Sequence, residues 1–378
     1  MRRRLALLAV AGLLAGCAGD PPVETEPAVL EDRAAPSEEV HEDSLPLALS
    51  GLPVLDPGWD QVPQELDGLL LGLDHPEDGE PLRFVAARED GTLLWRAERP
   101  PSCTGFTLSR AGERTIAILN DVTPGRDTLS ETSASAYDLA TGELVWGPVD
   151  VPGPLQGPGA VFAAPAPRAA MGETGPRVVL DPATGEVVAS EDDDVTVVGE
   201  YAGVVLTATD GTLHADGAGT SWQLPLADLG TGPEPGALPG VQAPPGTALL
   251  GEPGQALGVL VDLTTGEVLA TGVRDAVTEP ISGTLVTVED GSLVGRPDGE
   301  RWERPTEGLG LSAAGNLFAY LRSDSAVRAV NVVTGADAVA YDDGVTEPAV
   351  PVLVTAGGAT VVEGADVALV PAGPSGAG

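Results

Sequence analysis

Beyond residue 44 the chain runs in short segments where apolar positions alternate with polar ones or follow one another briefly, each ended by Gly, Pro, Asp or Asn. A period of two sends successive side chains to opposite faces, so these segments predict β-strands. GLLLGLD (68–74), LRFVAARED (82–90) and TLLWRAE (92–98) are predicted as neighbours in a first sheet. FTLSR (106–110), RTIAILN (114–120), SASAYDL (133–139) and ELVWGPV (143–149) form a second. A third, loosened by Pro and Gly between Gly153 and Pro176, resumes at RVVLDPATGEVVA (177–189). TVVGEY, GVVLTATD, TLHAD and SWQLPL make a fourth, and TALLGE, LGVLVDL and EVLATG most of a fifth. AVTEP, SGTLVTVED, SLVGR and RWERP make a sixth, and GLGLS, NLFAYLR, AVRAVNV and ADAVAY a seventh. AVPVLVT, ATVVEG and DVALVP then lack a fourth partner, which LPLALS (45–50) is predicted to supply. No sustained amphipathic helical pattern appears after the N-terminus, so the expected fold class is all-β.

The segments repeat. DLATGELVW (138–146) returns as DPATGEVVA (181–189), DLTTGEVLA (262–270) and the degraded NVVTGADAV (331–339). TDGTLHADGAGTSW (209–222) and EDGSLVGRPDGERW (289–302) align without a gap, placing Trp222 and Trp302 80 residues apart. Each copy reads as a hairpin: Asp138, Asp181 and Asp262 fold their carboxylates onto turn amides, and Gly142, Gly185 and Gly266 supply the positive φ. From Trp95 to Trp302 there are five steps, with Trp replaced near Val188 and Leu269, and the mean step is about 41 residues. That is the length of one four-stranded propeller blade.

In this register the chain resembles the repeat of pyrroloquinoline-quinone-type (PQQ-like) β-propellers. That family includes quinoprotein dehydrogenases and the lipoprotein of the outer-membrane β-barrel assembly machine. The resemblance covers roughly residues 80–342 and reports a fold, not a chemistry. It implies that Trp95, Trp146, Trp222 and Trp302 dock one blade against the next. The expected domain is a propeller over residues 45–372, with eight blades, seven as the alternative, and the N-terminal strand closing the last; 373–378 is expected as a tail.

Composition changes the picture at the N-terminus. Arg2, Arg3 and Arg4, the apolar run Leu5–Leu14 and Leu14-Ala15-Gly16-Cys17 read as an export signal (1–16) ending in a bacterial lipobox. Cys17 is the expected lipid-attachment residue, and two acyl chains there hold a protein at a bilayer. Residues 17–44, rich in Pro, Glu and Asp, are expected as a disordered tether with a span of roughly 30 Å. The formal charge is −38 and all nineteen basic residues are Arg. Such a surface repels nucleic acid and excludes every mechanism based on Lys.

Lipidation of Cys17 leaves Cys103 as the sole remaining thiol, which excludes an internal disulfide. His41, His75 and His214 lack metal-site spacing, and no GxSxG marks a nucleophile. Glu191-Asp192-Asp193-Asp194 lacks calcium-loop spacing and reads as a solvated loop. Quinoprotein dehydrogenases of the resembled family usually carry a vicinal Cys pair and a Trp floor around the quinone, with Ca²⁺ nearby; this chain has no adjacent Cys pair. The expectation is therefore a monomeric, cofactor-free propeller lipoprotein at the extracytoplasmic face of the cell membrane, binding an envelope protein. The alternative is a dehydrogenase using PQQ and calcium, and a hydrolase or lyase at the channel mouth is a third.

Overall fold

The computed structural model describes residues 26–38, 44–75, 80–101, 103, 105–123, 131–164, 175–232, 235–238, 243–252 and 254–373. The expected signal 1–16, the lipidation residue Cys17 and His41 lie outside them. Among the described residues, antiparallel strands form seven sheets, and one single-turn α-helix spans Leu226–Leu229.

The first sheet holds β1 (Ala28–Ala34), β2 (Gln64–Leu66), β3 (Leu69–Asp74), β4 (Leu82–Arg88) and β5 (Thr92–Arg99), in the order β1-β5-β4-β3-β2. The second is β6 (Phe106–Ala111), β7 (Arg114–Thr123), β8 (Glu131–Asp138) and β9 (Leu144–Val151). The third is β10 (Val161–Ala163), β11 (Arg177–Leu180) and β12 (Val187–Ser190), and the fourth is β13 (Thr196–Tyr201), β14 (Val204–Thr209), β15 (Thr212–Gly217) and β16 (Thr220–Pro225). The fifth has seven strands: β17 (Gly236–Ala237), β18 (Thr247–Gly251), β19 (Gly258–Asp262), β20 (Val268–Thr278), β21 (Leu285–Glu289), β22 (Ser292–Arg296) and β23 (Trp302–Pro305). The sixth is β24 (Gly310–Gly315), β25 (Phe318–Ser323), β26 (Ala326–Asn331) and β27 (Asp337–Ala338). The seventh is β28 (Val350–Val354), β29 (Thr360–Glu363) and β30 (Val367–Val370).

Alternation gives these sheets two packed faces, and the core is divided into clusters at the seams between them. Phe84, Trp95 and Leu94 of the first sheet meet Leu108, Leu119 and Leu139 of the second. Ile116 and Trp146 meet Phe162 and Leu180 across the next seam. Leu206 and Leu213 of the fourth sheet pack on Leu250 and Val261 of the fifth. Leu293 packs against Leu321 and Val330 of the sixth, and Tyr320 against Val350 of the seventh. The seventh returns to the first, where Val352, Val361 and Leu369 share a cluster with Leu70, Val85 and Trp59. Thr355 Oγ1 donates to Glu89 across that junction at 2.6 Å.

Three features depart from the expectation. LPLALS is not the closing strand: Leu47–Leu49 forms a 3₁₀ turn that buries Leu45 and Leu49 and leaves Leu47 exposed, whereas a strand would set all three on one face. The place beside β30 is taken by Leu55, whose N–H and C=O exchange bonds of 2.8 and 2.9 Å with Leu369. Second, the expected disordered tether contains β1, which pairs along the outer edge of β5 from Ala28 opposite Arg96 to Ala34 opposite Thr92. Its side chains are mostly exposed, so the open edge of β5, and not burial, recruits it. Third, EVLATG and AVTEP are one strand: β20 pairs with β19 through its first half and with β21 through its second. Gly272, at φ 66°, falls at the register shift on the β19 side, so the chain takes up the extra residue as a bulge without leaving the ladder.

Candidate binding cleft

The repeat turns and the Trp residues meet across the seams. In the turn after β8, Asp138 Oδ1 accepts from Ala140 N–H, Thr141 N–H and Thr141 Oγ1 at 3.0, 3.0 and 3.2 Å, and Gly142 takes φ 74°. Asp262 makes the same three contacts, Asp181 accepts from Ala183 N–H at 2.7 Å, and Asn331 serves in the fourth copy. Gly185 and Gly266 share the left-handed conformation, at φ 74° and 76°.

Onto each turn lies an indole from the preceding unit. Trp95 Nε1 donates to Leu139 O at 2.9 Å, Trp146 to Pro182 O at 2.7 Å, Trp222 to Leu263 O at 2.8 Å and Trp302 to Val332 O at 2.7 Å. The rings cover Gly142, Gly185, Gly266 and Gly335; a Cβ at Gly185 would stand 2.7 Å from the Trp146 ring. Opposite the four Trp on the neighbouring strand are Ala86, Ala136, Ala215 and Gly295, small enough to leave the ring its space. The fifth indole, Trp59, lies over Gly72 and donates to Val85 O at 3.0 Å.

That register identifies which residues replace Trp elsewhere. Ala189 stands opposite Val179, Ala270 opposite Leu260 and Ala338 opposite Ala329, so the missing positions are Ala189, Ala270 and Ala338. At Ala270 the gap is filled by Leu249, Leu260 and the continuous β20. At Ala189 it is not. The seam between the third and fourth sheets has a buried cluster of only Val161, Val179 and Val197, and beside it opens a cleft of about 870 Å³.

The walls of this cleft differ in character. Strand alternation turns Val204, Leu206, Leu213 and Trp222 toward the fifth sheet and leaves the opposite face of the fourth polar. Cross-strand rows on that face run Val205–Asp216–Ser221 and Thr207–His214–Gln223, and all six residues line the cleft. The facing wall is apolar, with Val188 and Ala189 of β12 and Val195. Val188 is 50% exposed at the opening. Arg110 also borders the cleft, but its guanidinium forks onto Asp67, which holds the Asp67 carboxyl below the usual range. Asp181 and Asp216 make the wall's net charge negative.

At the inner side of the same region Glu200 is 1% exposed. Its Oε1 accepts from Ser109 Oγ at 2.6 Å and Gly203 N–H at 2.5 Å, and its Oε2 from Ala160 N–H at 3.0 Å. One carboxylate thus joins the second, third and fourth sheets. Burial pushes its pKa up against the lowering effect of those donors. Glu279 does similar work between β20 and the sixth sheet, accepting from Ser282 and from Leu317 N–H at 3.2 Å. Sequence reasoning missed these carboxylates; the signal available was a Glu three or four residues ahead of a turn Gly, at Glu65, Glu200 and Glu279.

The remaining candidates lie apart. His75 bonds Asp60 at 2.9 Å, Cys103 Sγ is buried and accepts from Val122 N–H, and Glu191 holds Arg177 at 2.6 Å. Among the described residues no group of three metal-ligating side chains converges. All five indoles pack between or over sheets.

No family model and no curated protein sequence matches the chain. Among solved structures, a chain from the crystal structure of a mitotic checkpoint complex is 11% identical over 86% of this chain and 96% of that one, with a TM-score of 0.33. A chain from the crystal structure of a eukaryotic initiation factor is 9% identical over 81% of this chain and 89% of that one, with a TM-score of 0.37. Scores this low leave the fold to be read from the sheets themselves.

Proposed function

We propose that the protein is a PQQ-like β-propeller lipoprotein that works as a cofactor-free protein-binding module, held at the extracytoplasmic face of a membrane by lipidated Cys17. Division of the seven-stranded sheet at β20, counted in both halves, yields two four-stranded units, and with the six other sheets this supports a count of eight blades. Packing of the seventh sheet on the first, with Leu55 beside β30, supports closure of the ring. The repeated seating of an indole on the next turn supports the family resemblance.

The observation that carries the binding role is the polar wall of the cleft. A sheet face bearing Thr207, His214, Asp216 and Gln223 lines one side of the cleft, with Asp216 and Gln223 exposed to solvent, so an incoming group can take up hydrogen bonds there in exchange for water. The strongly acidic chain favours a partner with a basic surface. The test is in-cell cross-linking of the tagged protein followed by identification of captured envelope proteins. A reproducible envelope partner is expected, and recovery of nothing beyond the background of an untagged strain overturns the reading. Metabolic labelling with palmitate tests the anchor separately: label is expected in the wild type and absent in Cys17→Ala.

A further inference from the structure

We infer that the cleft between the third and fourth sheets is a receptor for an aromatic side chain flanked by basic residues on a partner protein, entering where the fold's own repeat would have placed Trp. The inference rests on the protein-binding reading and names the chemistry of its site. Its basis is a comparison within one molecule. Four seams are filled by an indole standing opposite a small residue, and at this seam the same register position holds Ala189.

The volume left is within the range of about 300–1,000 Å³ typical of ligand sites, and it holds more than one side chain. Val188 and Ala189 offer one apolar wall to a flat ring. The opposite wall offers Thr207 and Gln223 as acceptors for an indole or phenol hydrogen, and Asp216 as a counter-charge for a neighbouring cation. Arg110 does not cancel that charge, because its guanidinium is engaged by Asp67. The His214 ring lies between Thr207 and Gln223 in the cross-strand row and forms no hydrogen bond to the described residues, so its nitrogens are open to an incoming group. An aromatic group with an adjacent positive charge satisfies both walls. A bare aliphatic group leaves the polar wall unpaired, and an acidic segment meets Asp181 and Asp216.

The test titrates the full mature protein with three end-blocked tripeptides, Lys-Trp-Lys, Lys-Ala-Lys and Glu-Trp-Glu, by isothermal calorimetry. Lys-Trp-Lys is expected to bind saturably and at least about tenfold more tightly than either of the others, about 1.4 kcal/mol. Ala189→Trp fills the cleft from within and is expected to abolish that binding. Asp216→Asn, which leaves packing intact, is expected to weaken Lys-Trp-Lys several-fold and leave a fourth, uncharged peptide, Gly-Trp-Gly, unchanged, so the inference stays testable if Ala189→Trp does not fold. Equal binding of Lys-Trp-Lys and Lys-Ala-Lys overturns it, as does binding that neither substitution alters, or saturable binding of chitotriose in place of the peptide. Cross-linking separates this from the broader reading. A partner captured equally by wild type and Ala189→Trp leaves the module a scaffold whose site lies elsewhere.

Discussion

The seating of each indole on a turn glycine makes a prediction that separates two costs usually confounded. Gly185 and Gly219 both have left-handed backbones, at φ 74° and 79°, but a Cβ at Gly185 would meet Trp146 at 2.7 Å while one at Gly219 would meet nothing within 4 Å. Gly219→Ala therefore costs only the left-handed conformation, about 1–2 kcal/mol. Gly185→Ala adds overpacking against the ring, about 1–3 kcal/mol more. The unfolded-state gain from replacing Gly is common to both and cancels in the difference. Removing the ring by Trp146→Ala should erase that excess, so in this background the two glycine substitutions should agree within about 0.5 kcal/mol, as sites without shared partners do. The assay is equilibrium urea denaturation followed by far-ultraviolet circular dichroism, with an unchanged m-value as the condition for comparison. If Gly185→Ala and Gly219→Ala are equally destabilising in the wild type, or if the excess survives Trp146→Ala, the indole does not hold that seam.

Further predictions follow from single contacts. Asp138→Asn should fall within about 0.5 kcal/mol of wild type, because Asn331 already makes the same three turn bonds, whereas Asp138→Ala should cost about 1 kcal/mol in the same denaturation assay. Leu55→Pro removes the donor to Leu369 O and leaves a buried carbonyl unpaired, so it should cost about 1–3 kcal/mol and speed amide exchange across Val367–Val370; unchanged exchange there refutes the closing role of Leu55. The pKa of Glu200 is raised in the folded state by burial, so its contribution to stability is full below the ordinary Glu range and falls as pH rises through the raised value. Melting temperature in that window should decline more steeply with pH in the wild type than in Glu200→Gln, and parallel profiles would show that Glu200 does not titrate with folding.

What could be read from the chain alone was whatever is encoded within a few residues. The turn at Asp138–Gly142 carries its own acceptor, its own hydroxyl and its own flexible residue, so its form follows from nine letters. Strands β3 to β9 were legible for the same reason, since period two needs no partner to be seen. The closing strand was misplaced because LPLALS is apolar enough for a strand, yet a turn exposes Leu47 between the buried Leu45 and Leu49. Strand β1 was hidden because AVLEDRA has little to bury and is held by the edge of β5, some sixty residues away. The cleft could not be read at all, since an Ala in a degraded repeat becomes a vacancy only when Val179 is known to stand opposite it. Glu200 escaped for a related reason: its three donors come from residues 109, 160 and 203.

Strand β20 sets how the molecule can breathe. The two halves of the fifth sheet cannot part without severing a ladder that runs unbroken from Val268 to Thr278, and a slip of one residue on either side would drag the other out of register. Between the third and fourth sheets no strand is shared, no indole spans the gap, and the buried apolar cluster reduces to three valines, with Glu200 tied to Ala160 N–H and Pro158 O, and Glu191 joining Arg177 to Val197 N–H. Cohesion is therefore distributed unevenly around the sheets: one joint is welded by a shared strand, and its near neighbour is a seam held by a small apolar cluster and the two carboxylates Glu191 and Glu200.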